Sequence, residues 1–424
     1  MSVRFAIIKK QLDIPLPIYL EGYFNRKDPA TEIHDPLNIS CFYLTSADKE
    51  MAVFGLDLLG IYFGTYDKLV QAIKEKVNRP QLDIVISSAH THSAPGFRGA
   101  MPGGHTLNLD KLFDEIVSKA VIILTEAPEI AAEATLRYSE KPIENVGANR
   151  RNKDIKVNTV LRKLAFDFDG KEALIINFPC HPTHMSARNL LVSKDFQGAA
   201  MDELAGQGFI PMFLQGACGD ISTRFTRVDQ TFEDMARIGH LFAEEIKDQL
   251  PEDSFTIDDF SYQEHCFTIE KKTYQSEEYY LNEIEKHKAN LEANRASMSA
   301  ADLRILETAV EGINVEYQYS LMQQYIDTNI RCGILTLGEK LAFVFLPFEL
   351  FSRISDYIVA NSPVEHLMVV GYSFDGLGYL PDEASFEQSG YEVLSCVYAK
   401  GSGEVVGRKV VELLAEAGAC PLNL

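Results

Sequence analysis

The sequence predicts an α/β fold in which a mixed β-sheet core is flanked by helices and carries an inserted helical hairpin. Short apolar runs alternate along the chain with longer runs of helical periodicity, and this alternation is typical of α/β proteins. A region at about 275–326 departs from it, because helical patterns follow one another there without a strand. The 424 residues are 46% hydrophobic and 24% charged, which excludes a disordered, collagenous or coiled-coil chain.

The strands are predicted from apolar runs of a few residues, most of which end at polar or turn-forming residues. They are Cys41–Leu44, Ala52–Leu58, Ile84–Ser87, Ala173–Phe178, Ile210–Leu214, Gly333–Leu337 and Leu341–Leu346.

The helices outside the hairpin are predicted from apolar residues at helical spacing. The strongest pattern begins after Thr231, a plausible N-cap, and Asp234 stands three residues further on. The predicted helices are Tyr66–Val77, Lys111–Leu124, Phe232–Leu250 and Gly403–Ala415.

The hairpin is predicted from two amphipathic patterns, Glu277–Arg295 and Ala300–Met322. Ser299 and Asp302 resemble a capping pair at the start of the second helix. We expect the hairpin to be a packing arm or a dimer contact, with a lid over a site as the alternative.

The charge balance excludes some partners. There are 40 Lys and Arg against 61 Asp and Glu, a formal net charge of −21, so phosphate backbones and anionic lipid repel the chain. We therefore expect no nucleic-acid partner and no stable membrane anchoring, while a homo-oligomer stays open. Seven widely spaced cysteines and the absence of a signal-like N-terminus predict a cytoplasmic protein with free thiols.

Clusters of polar residues follow four predicted strands directly. If these strands share one sheet and one direction, the clusters converge at the carboxyl edge, where α/β sheets bind ligands. The residues in these clusters that could bind a metal or take part in catalysis are His90 and His92, His181 and His184, Asp220 and Ser222, and Glu349.

The histidines suggest a metal site. In an extended segment His90 and His92 would point to the same side, and zinc accepts neutral imidazoles and carboxylate oxygens. A lone His-x-His is usually a pair of hydrogen-bonding residues, but His181 and His184 in a second strand-end loop make a shared site more probable. Glu349 is then either a metal ligand or an ion-pair partner.

The serine has two interpretations. Ser222 would be a nucleophile only with a base within hydrogen-bond reach, and otherwise it is a turn or cap hydroxyl.

At these residues the sequence resembles the catalytic N-terminal domain of the neutral/alkaline non-lysosomal ceramidases. The first histidine motif is the most specific match, and the matches run in order along nearly the whole chain. They are Ile33–Leu37, Ser88–Gly96 (family T-H-T-H-S-G-P-G), Asn149-Arg150, His181-Pro182-Thr183 with Met185, Gly219–Ser222 (family G-D-V-S), Pro347-Phe348-Glu349, and Tyr379 with Tyr391.

The resemblance implies one catalytic domain over residues 1–424 and one Zn²⁺ per chain. It implies His90, His181, Glu349 and Tyr379 as metal ligands. It further implies His92 as a proton-transfer group, and Arg150, Ser222 and Tyr391 beside the reacting amide.

Two further residues are expected near the metal but outside its ligand set. We expect His184 there because Pro182 would favour a helical turn that places it on the same face as His181. Asp220 is the other, and His184 could alternatively help to hold a second ion beside it.

The implied activity is zinc-dependent hydrolysis of a linear N-acyl amide by metal-activated water. The implied substrate is a small N-acyl or lipid-like molecule, and we expect one more soluble than long-chain ceramide because nothing in the sequence attracts the chain to lipid. Two alternatives stay open: a TIM-barrel amidohydrolase, which also begins with His-x-His after a strand, and a non-catalytic zinc-binding protein of the same fold.

Overall fold

The computed structural model describes residues 2–98, 106–248, 252–388 and 390–418. The strands are β1 (Arg4–Gln11), β2 (Glu32–Ile33), β3 (Asn38–Thr45), β4 (Glu50–Leu56), β5 (Asp83–Ser88), β6 (Leu136–Pro142), β7 (Ala148–Asn149), β8 (Val160–Phe168), β9 (Lys171–Phe178), β10 (Leu191–Val192), β11 (Ile210–Gln215), β12 (Ile221–Ser222), β13 (Asp253–Phe255), β14 (Phe260–Thr268), β15 (Asn329–Leu337), β16 (Leu341–Phe345), β17 (Glu349–Leu350), β18 (His366–Val370) and β19 (Tyr379–Leu380). The helices are α1 (Thr65–Val77), α2 (Leu109–Ile130), α3 (Asp195–Gly206), α4 (Phe232–Lys247), α5 (Glu277–Asn294), α6 (Ala300–Leu321), α7 (Ser352–Ala360), α8 (Tyr391–Leu394) and α9 (Ser402–Gly418), with 3-10 turns at Thr223–Phe225, Gln323–Tyr325 and Glu383–Gln388.

The larger strands form three open mixed sheets, with the strand orders β1-β3-β4-β5, β11-β9-β8-β6-β13 and β14-β15-β16-β18. Each sheet contains antiparallel pairs and one parallel pair, so the predicted mixed α/β fold is confirmed. Within the described ranges no sheet closes into a barrel, and the TIM-barrel alternative is therefore wrong.

One order of elements recurs in all three sheets: an antiparallel pair, a helix, and then a strand parallel to the second one. The three copies are β3-β4-α1-β5, β8-β9-α3-β11 and β15-β16-α7-β18. Because polar loops follow the carboxyl ends of these parallel pairs, each sheet supplies part of one site.

The assumption that the four strand-end clusters share a single sheet is wrong. The strands that precede them belong to three sheets, which are joined where their carboxyl ends meet. The Gln215 amide donates to Ala89 O at 3.0 Å and to Cys180 O at 3.1 Å. Gly371 N donates to Gln215 O at 3.0 Å, and Ser88 N donates to Tyr372 O at 3.0 Å. These buried bonds bring the four clusters together without a common sheet.

The predicted strands and helices are all present, with ends that differ by a few residues. Thr231 caps α4 as predicted, since its hydroxyl accepts a hydrogen bond from Asp234 N. That helix ends at Lys247, and Leu250, the predicted end, lies outside the described residues. β14 escaped prediction because only Phe260 in it is buried, and its other residues, half-buried or exposed, form no apolar run.

The hairpin is present as α5 and α6, and Ser299 caps α6 through Asp302 N as predicted. Its own core is small and consists of Tyr280, Ile284 and Ile313. It contacts the α/β body through the Lys272–Glu316 ion pair at 2.6 Å and through apolar contacts, with Tyr319 against a core of the body and Leu394 against the hairpin core.

Two further expectations concern the whole chain. The described cysteines, Cys41, Cys180, Cys218, Cys266, Cys332 and Cys396, are free thiols, and Cys420 lies outside the described residues. No helix in the described ranges is long and apolar enough to cross a membrane. The single domain over residues 1–424 stays a prediction.

Candidate metal centre and cavity

Three buried imidazoles converge at the joint between the sheets. His90 and His92 follow β5, and His181 follows β9. The ring centroids are 5.1 Å apart for His90 and His92, 4.7 Å for His90 and His181, and 5.2 Å for His92 and His181. One nitrogen from each ring lies within 4.8 Å of the others, so the three could hold one metal ion.

The backbone that brings His90 and His92 together is not the extended segment that the sequence predicted. His90 has a φ of 66°, so the segment is not extended at this point. A left-handed backbone is costly for a residue with a side chain, and surrounding structure must hold it. His90 N donates to Leu58 O at 2.9 Å, and its Nδ1 lies 2.8 Å from Leu59 O. A turn therefore brings the imidazoles together, and not the alternation of an extended strand.

Glu349 adds a carboxylate to the histidines. Its Oε2 lies 3.3 Å from His90 Nε2 and 3.4 Å from His181 Nε2. Burial by itself would raise the pKa of this carboxyl, but the nearby His90 and a hydrogen bond from Tyr379 outweigh it and lower the pKa. Glu349 is therefore a carboxylate at neutral pH, in contact with two imidazole nitrogens.

The hydrogen bonds of the cluster leave several inward-facing nitrogen and oxygen atoms without a partner in the described part of the chain, and these atoms could bind an ion. His90 Nδ1 faces Leu59 O, and His181 Nδ1 faces Cys218 O at 3.1 Å, which directs both Nε2 atoms inward. His181 Nε2, Glu349 Oε2 and both ring nitrogens of His92 are buried without a hydrogen-bond partner among the described residues. Buried polar atoms are rarely left so, and neutral imidazole and carboxylate are ligands that divalent metals accept. The residues therefore fit a metal ion.

His92 and His181 are neutral. Burial, followed by the influence of His90 and Arg150, lowers the pKa of His92 well below its ordinary value. The same causes, with burial the largest, lower the pKa of His181. Gly22 packs on the His92 ring with a φ of 97°, and a side chain there would collide with the imidazole. His92 is therefore a neutral imidazole whose ring is held in place by close packing.

A charged chain of residues stands behind Tyr379. Arg150 Nη2 donates to Tyr379 Oη at 2.8 Å, and Arg150 Nε lies 2.8 Å from Glu392 Oε1. Tyr391 packs edge-on against Tyr379 with the ring centroids 5.8 Å apart. Burial raises the pKa of Tyr379, and it raises that of Tyr391 to about 12. Both phenols are therefore neutral donors at pH 7.

The structure gives Ser222 a structural task. Its Oγ accepts a hydrogen bond from Arg224 N at 3.2 Å and so caps a 3-10 turn. Its backbone forms an isolated bridge with His181. No base contacts this hydroxyl within the described residues, which favours the cap interpretation over the nucleophile.

Asp220 does not face the imidazoles. Its two carboxylate oxygens accept from Ser352 N at 2.8 Å and Ser352 Oγ at 2.7 Å, at the start of α7. Burial raises its pKa to about 6. Both oxygens are engaged in a helix cap, so the geometry does not favour the alternative of a second ion beside Asp220.

The helical turn expected at Pro182 is wrong, because residues 182–184 are not helical. His184 N instead donates to Asp195 Oδ2 at 3.1 Å, and its Nε2 lies 3.3 Å from Asp234 Oδ2. Burial and then Arg227 lower the pKa of His184 to about 4. His184 therefore belongs to a polar cluster at the first turn of α4.

A cavity of about 410 Å³ opens beside the candidate metal site, and His181 lies behind its described lining. His90, His92, Glu349, Tyr379 and Tyr391 line it, whereas Arg150 lies behind Tyr379 and is not part of the described lining. The other lining residues are Tyr19, Leu20, Glu21, Gly22, Tyr23, Phe24, Arg26, Lys27, Leu59, Tyr62, Arg98, Val315, Tyr319, Gly378 and Ser395.

Sequence reasoning missed several residues of the site. The Tyr372 ring lies 4.1 Å from that of His90, and its Oη lies 3.4 Å from His181 Nδ1. Arg98 and Tyr62 line the cavity, as does Tyr319 on the hairpin helix α6. The position of Tyr372 after the apolar run 366–370 was an available signal, while Tyr319 carries none, because it sits in an amphipathic helix far along the chain.

Comparison with known proteins supports the fold. No family model matches the sequence, and no curated protein matches it. Solved structures do match. A ceramidase complexed with C2 has a TM-score of 0.71 and 17% identity, over 100% of this chain and 76% of that one. The neutral ceramidase from Pseudomonas aeruginosa has a TM-score of 0.70 and 17% identity, over 98% of this chain and 74% of that one. The chain therefore has the fold of these neutral ceramidases, as the motif resemblance implied.

Proposed function

We propose that this chain is a zinc-dependent hydrolase that cleaves the linear amide bond of an N-acyl compound. The single observation that carries the proposal is the convergence of His90, His92, His181 and Glu349, with buried unpartnered atoms, at a cavity. The likeness to ceramidase structures supports the same reaction class.

The proposed metal site uses His90 Nε2, His181 Nε2, Glu349 Oε2 and Tyr379 Oη. His92 is close enough to add a further nitrogen, so its role as ligand or proton carrier is part of the test. A zinc ion held there would act as a Lewis acid and lower the pKa of water toward 7.

The neighbouring residues would orient substrate and move protons. Tyr391, a neutral phenol in the cavity wall, would donate to the oxygen that gains charge in the transition state. Arg150 would fix the Tyr379 phenol and add positive charge from behind it. His92 would carry a proton at a ring nitrogen and deliver it to the departing amine.

The non-catalytic alternative has less support. A protein that only stored zinc would need no cavity beside the metal and no charged pair behind a phenol. Arg150 and Glu392 form such a charged pair behind the Tyr379 phenol. The pair is buried, and removing two charges from water costs free energy, which favours a functional reason for keeping it.

The test joins metal content to hydrolysis. Wild type should contain about one zinc per chain and release acid from short N-acyl amides. His181→Ala should lose both while staying folded. His240→Ala is the matched control, because His240 is exposed beside Glu203 and should change neither. Full zinc in His181→Ala, or zinc with no hydrolysis across an amide and ester panel, would contradict the proposal.

The substrate is proposed to be a small N-acyl compound more soluble than long-chain ceramide. The comparison is kcat/KM for short N-acyl amides in buffer against a long-chain ceramide in detergent micelles. A ceramide preference above about tenfold, or 1.4 kcal/mol, would reverse this assignment. A cytoplasmic location is also proposed, which the free thiols suit.

A further inference from the structure

The cavity has a charge balance opposite to that of the chain. Acidic residues outnumber basic ones by 61 to 40 in the whole sequence. Among the residues that line the cavity, however, the cations Arg26, Lys27 and Arg98 face only the carboxylates Glu21 and Glu349. Glu349 belongs to the proposed metal site, so the remainder of the lining is cationic.

The three cations differ in how their charge is used. Arg26 is buried, and its guanidinium donates to backbone carbonyls, including His92 O at 2.8 Å. Arg26 therefore supports the backbone of the histidine segment. Lys27 and Arg98 are exposed at the cavity, and in the described part of the chain neither side chain has an ion pair with a carboxylate.

Arg98 is positioned toward the reacting end of the cavity. Its guanidinium lies 5.1 Å from the Tyr62 ring centroid, which keeps the side chain along the wall. It is close enough to Tyr319, Tyr62, Glu349 and Tyr391 to interact with them electrostatically.

The acid beside Arg98 is already engaged. Glu21 Oε2 accepts a hydrogen bond from Arg98 N at 3.1 Å. This contact uses the Arg98 main chain and leaves the planar guanidinium donors directed elsewhere.

We propose that the substrate carries an anionic group, carboxylate or phosphate, near its amide, and that Arg98 is the residue that recognises this group. Lys27, whose ammonium lies 5.2 Å from the Phe24 ring centroid at the exposed rim, would add attraction at the entrance. The inference rests on the proposed function and names its substrate class as N-acyl amines with an acidic substituent.

Physical chemistry favours arginine for this task. Its planar guanidinium binds carboxylate or phosphate with two parallel hydrogen bonds, and a hydrogen bond to an ionised group is about twice as strong as a neutral one. A field of one sign inside a cleft also raises the local concentration of a ligand of opposite charge. In a strongly acidic protein such a cleft would select anions that the remaining surface repels.

The experiment compares substrates that share one acyl chain and one scissile bond. N-hexanoylglycine is matched with neutral N-hexanoylglycinamide, and N-hexanoyl-O-phosphoethanolamine with neutral N-hexanoylethanolamine. Release of hexanoate by the zinc enzyme gives kcat/KM for each. We expect wild type to prefer the anionic member of one pair by about tenfold or more, mainly through KM, and the preferred pair identifies carboxylate or phosphate.

Arg98→Gln should reduce that preference to about twofold while kcat for the neutral member stays within about threefold. Arg4→Gln is the control, because it removes the same charge from an exposed position on β1 that does not line the cavity. An unchanged preference in Arg98→Gln, or a wild type that favours the neutral members, would overturn the inference.

A failure of this inference can be told from a failure of the proposed function. Hydrolysis of all four compounds without charge preference would leave the amidase standing and remove the anion site. If none is hydrolysed, competition calorimetry with the two members of each pair still measures charge selection. Equal affinities within both pairs, in wild type and in Arg98→Gln, would refute the anion site independently.

Discussion

The two sides of the cavity are built in opposite ways. The His–Glu cluster, which we define as His90, His92, His181 and Glu349, is buried in segments that follow long strands and is held by backbone hydrogen bonds. The hairpin wall, which we define as Val315 and Tyr319, belongs to an inserted helix that has a small core of its own and contacts the body through Tyr319 and the Lys272–Glu316 ion pair. The exposed ion pairs of the hairpin, such as Lys288–Glu285, contribute little to stability, about 0–1 kcal/mol each.

This difference suits the two sides to different tasks, the buried cluster to the reaction and the hairpin wall to substrate recognition. A rigid buried cluster can keep ligand atoms within the narrow tolerance that a metal requires. A wall on a locally stabilised helix can change shape or sequence without disturbing that cluster. The hairpin, expected to be a packing arm or dimer contact, thus contributes a cavity wall, which favours the lid alternative.

The largest effect is expected from the His–Glu cluster. Glu349→Ala should abolish zinc binding and lower kcat by roughly 10³-fold or more, because the carboxylate that contacts His90 and His181 is lost. The measurements are elemental analysis and hydrolysis, with circular dichroism to verify folding. Glu203→Ala is the control, since Glu203 also forms a His/Glu group with His240 and Glu244, but on the surface. Equal metal loss in both variants would contradict the assignment.

A smaller effect should come from the charged chain behind Tyr379. Removing Arg150 alone would leave the buried Glu392 with the longer contact to Arg151 Nε, 3.5 Å from its Oε2, so the informative variant is the double change Arg150→Met with Glu392→Gln. We expect a loss of roughly 10²–10³-fold in kcat with zinc retained, because the phenol and its positive partner are no longer held for the transition state. Retained activity within tenfold of wild type would show that the Glu392–Arg150–Tyr379 contacts are structural.

The hairpin wall should affect binding and not chemistry. Tyr319→Ala should raise KM about 5–10-fold, as expected when an aromatic contact of about 1–1.5 kcal/mol is lost, and leave kcat and zinc content nearly unchanged. Tyr325→Ala is the matched control, because Tyr325 is 72% exposed after the same helix. A fall in kcat with metal loss in Tyr319→Ala would show that the two sides are coupled.

The smallest effect on activity is expected at Asp220. Burial raises its pKa to about 6, above the unfolded value of about 3.9, so the folded state binds this proton more tightly. Its unfavourable contribution is therefore present above pH 6 and disappears as the pH falls toward 4. Asp220→Asn should be stabilised relative to wild type by up to about 3 kcal/mol at pH 7.5 and by much less at pH 4.5.

Urea unfolding of both proteins at the two pH values measures this difference. Activity should stay within about threefold and zinc at wild-type content, because both Asp220 oxygens contact Ser352. Loss of metal from Asp220→Asn would restore the hypothesis of a second ion.

The sequence by itself determined the features that depend on neighbouring residues. The strand runs, the caps Thr231 and Ser299, and the placement of His90, His181 and Glu349 after apolar strands were all predictable. Periodicity, capping and strand-end position are local properties, and the chain shows them without knowledge of the fold.

Only the tertiary structure decided which residues meet. The long strands that precede the histidines and Glu349 lie in three sheets, and Gln215 and Tyr372 join these sheets through bonds between distant segments. The same long-range packing assigns Asp220 to a helix start, His184 to the start of α4, and Arg98 to the cavity. Side-chain partners far apart in sequence follow from how the sheets pack, and no local pattern of residues encodes that arrangement.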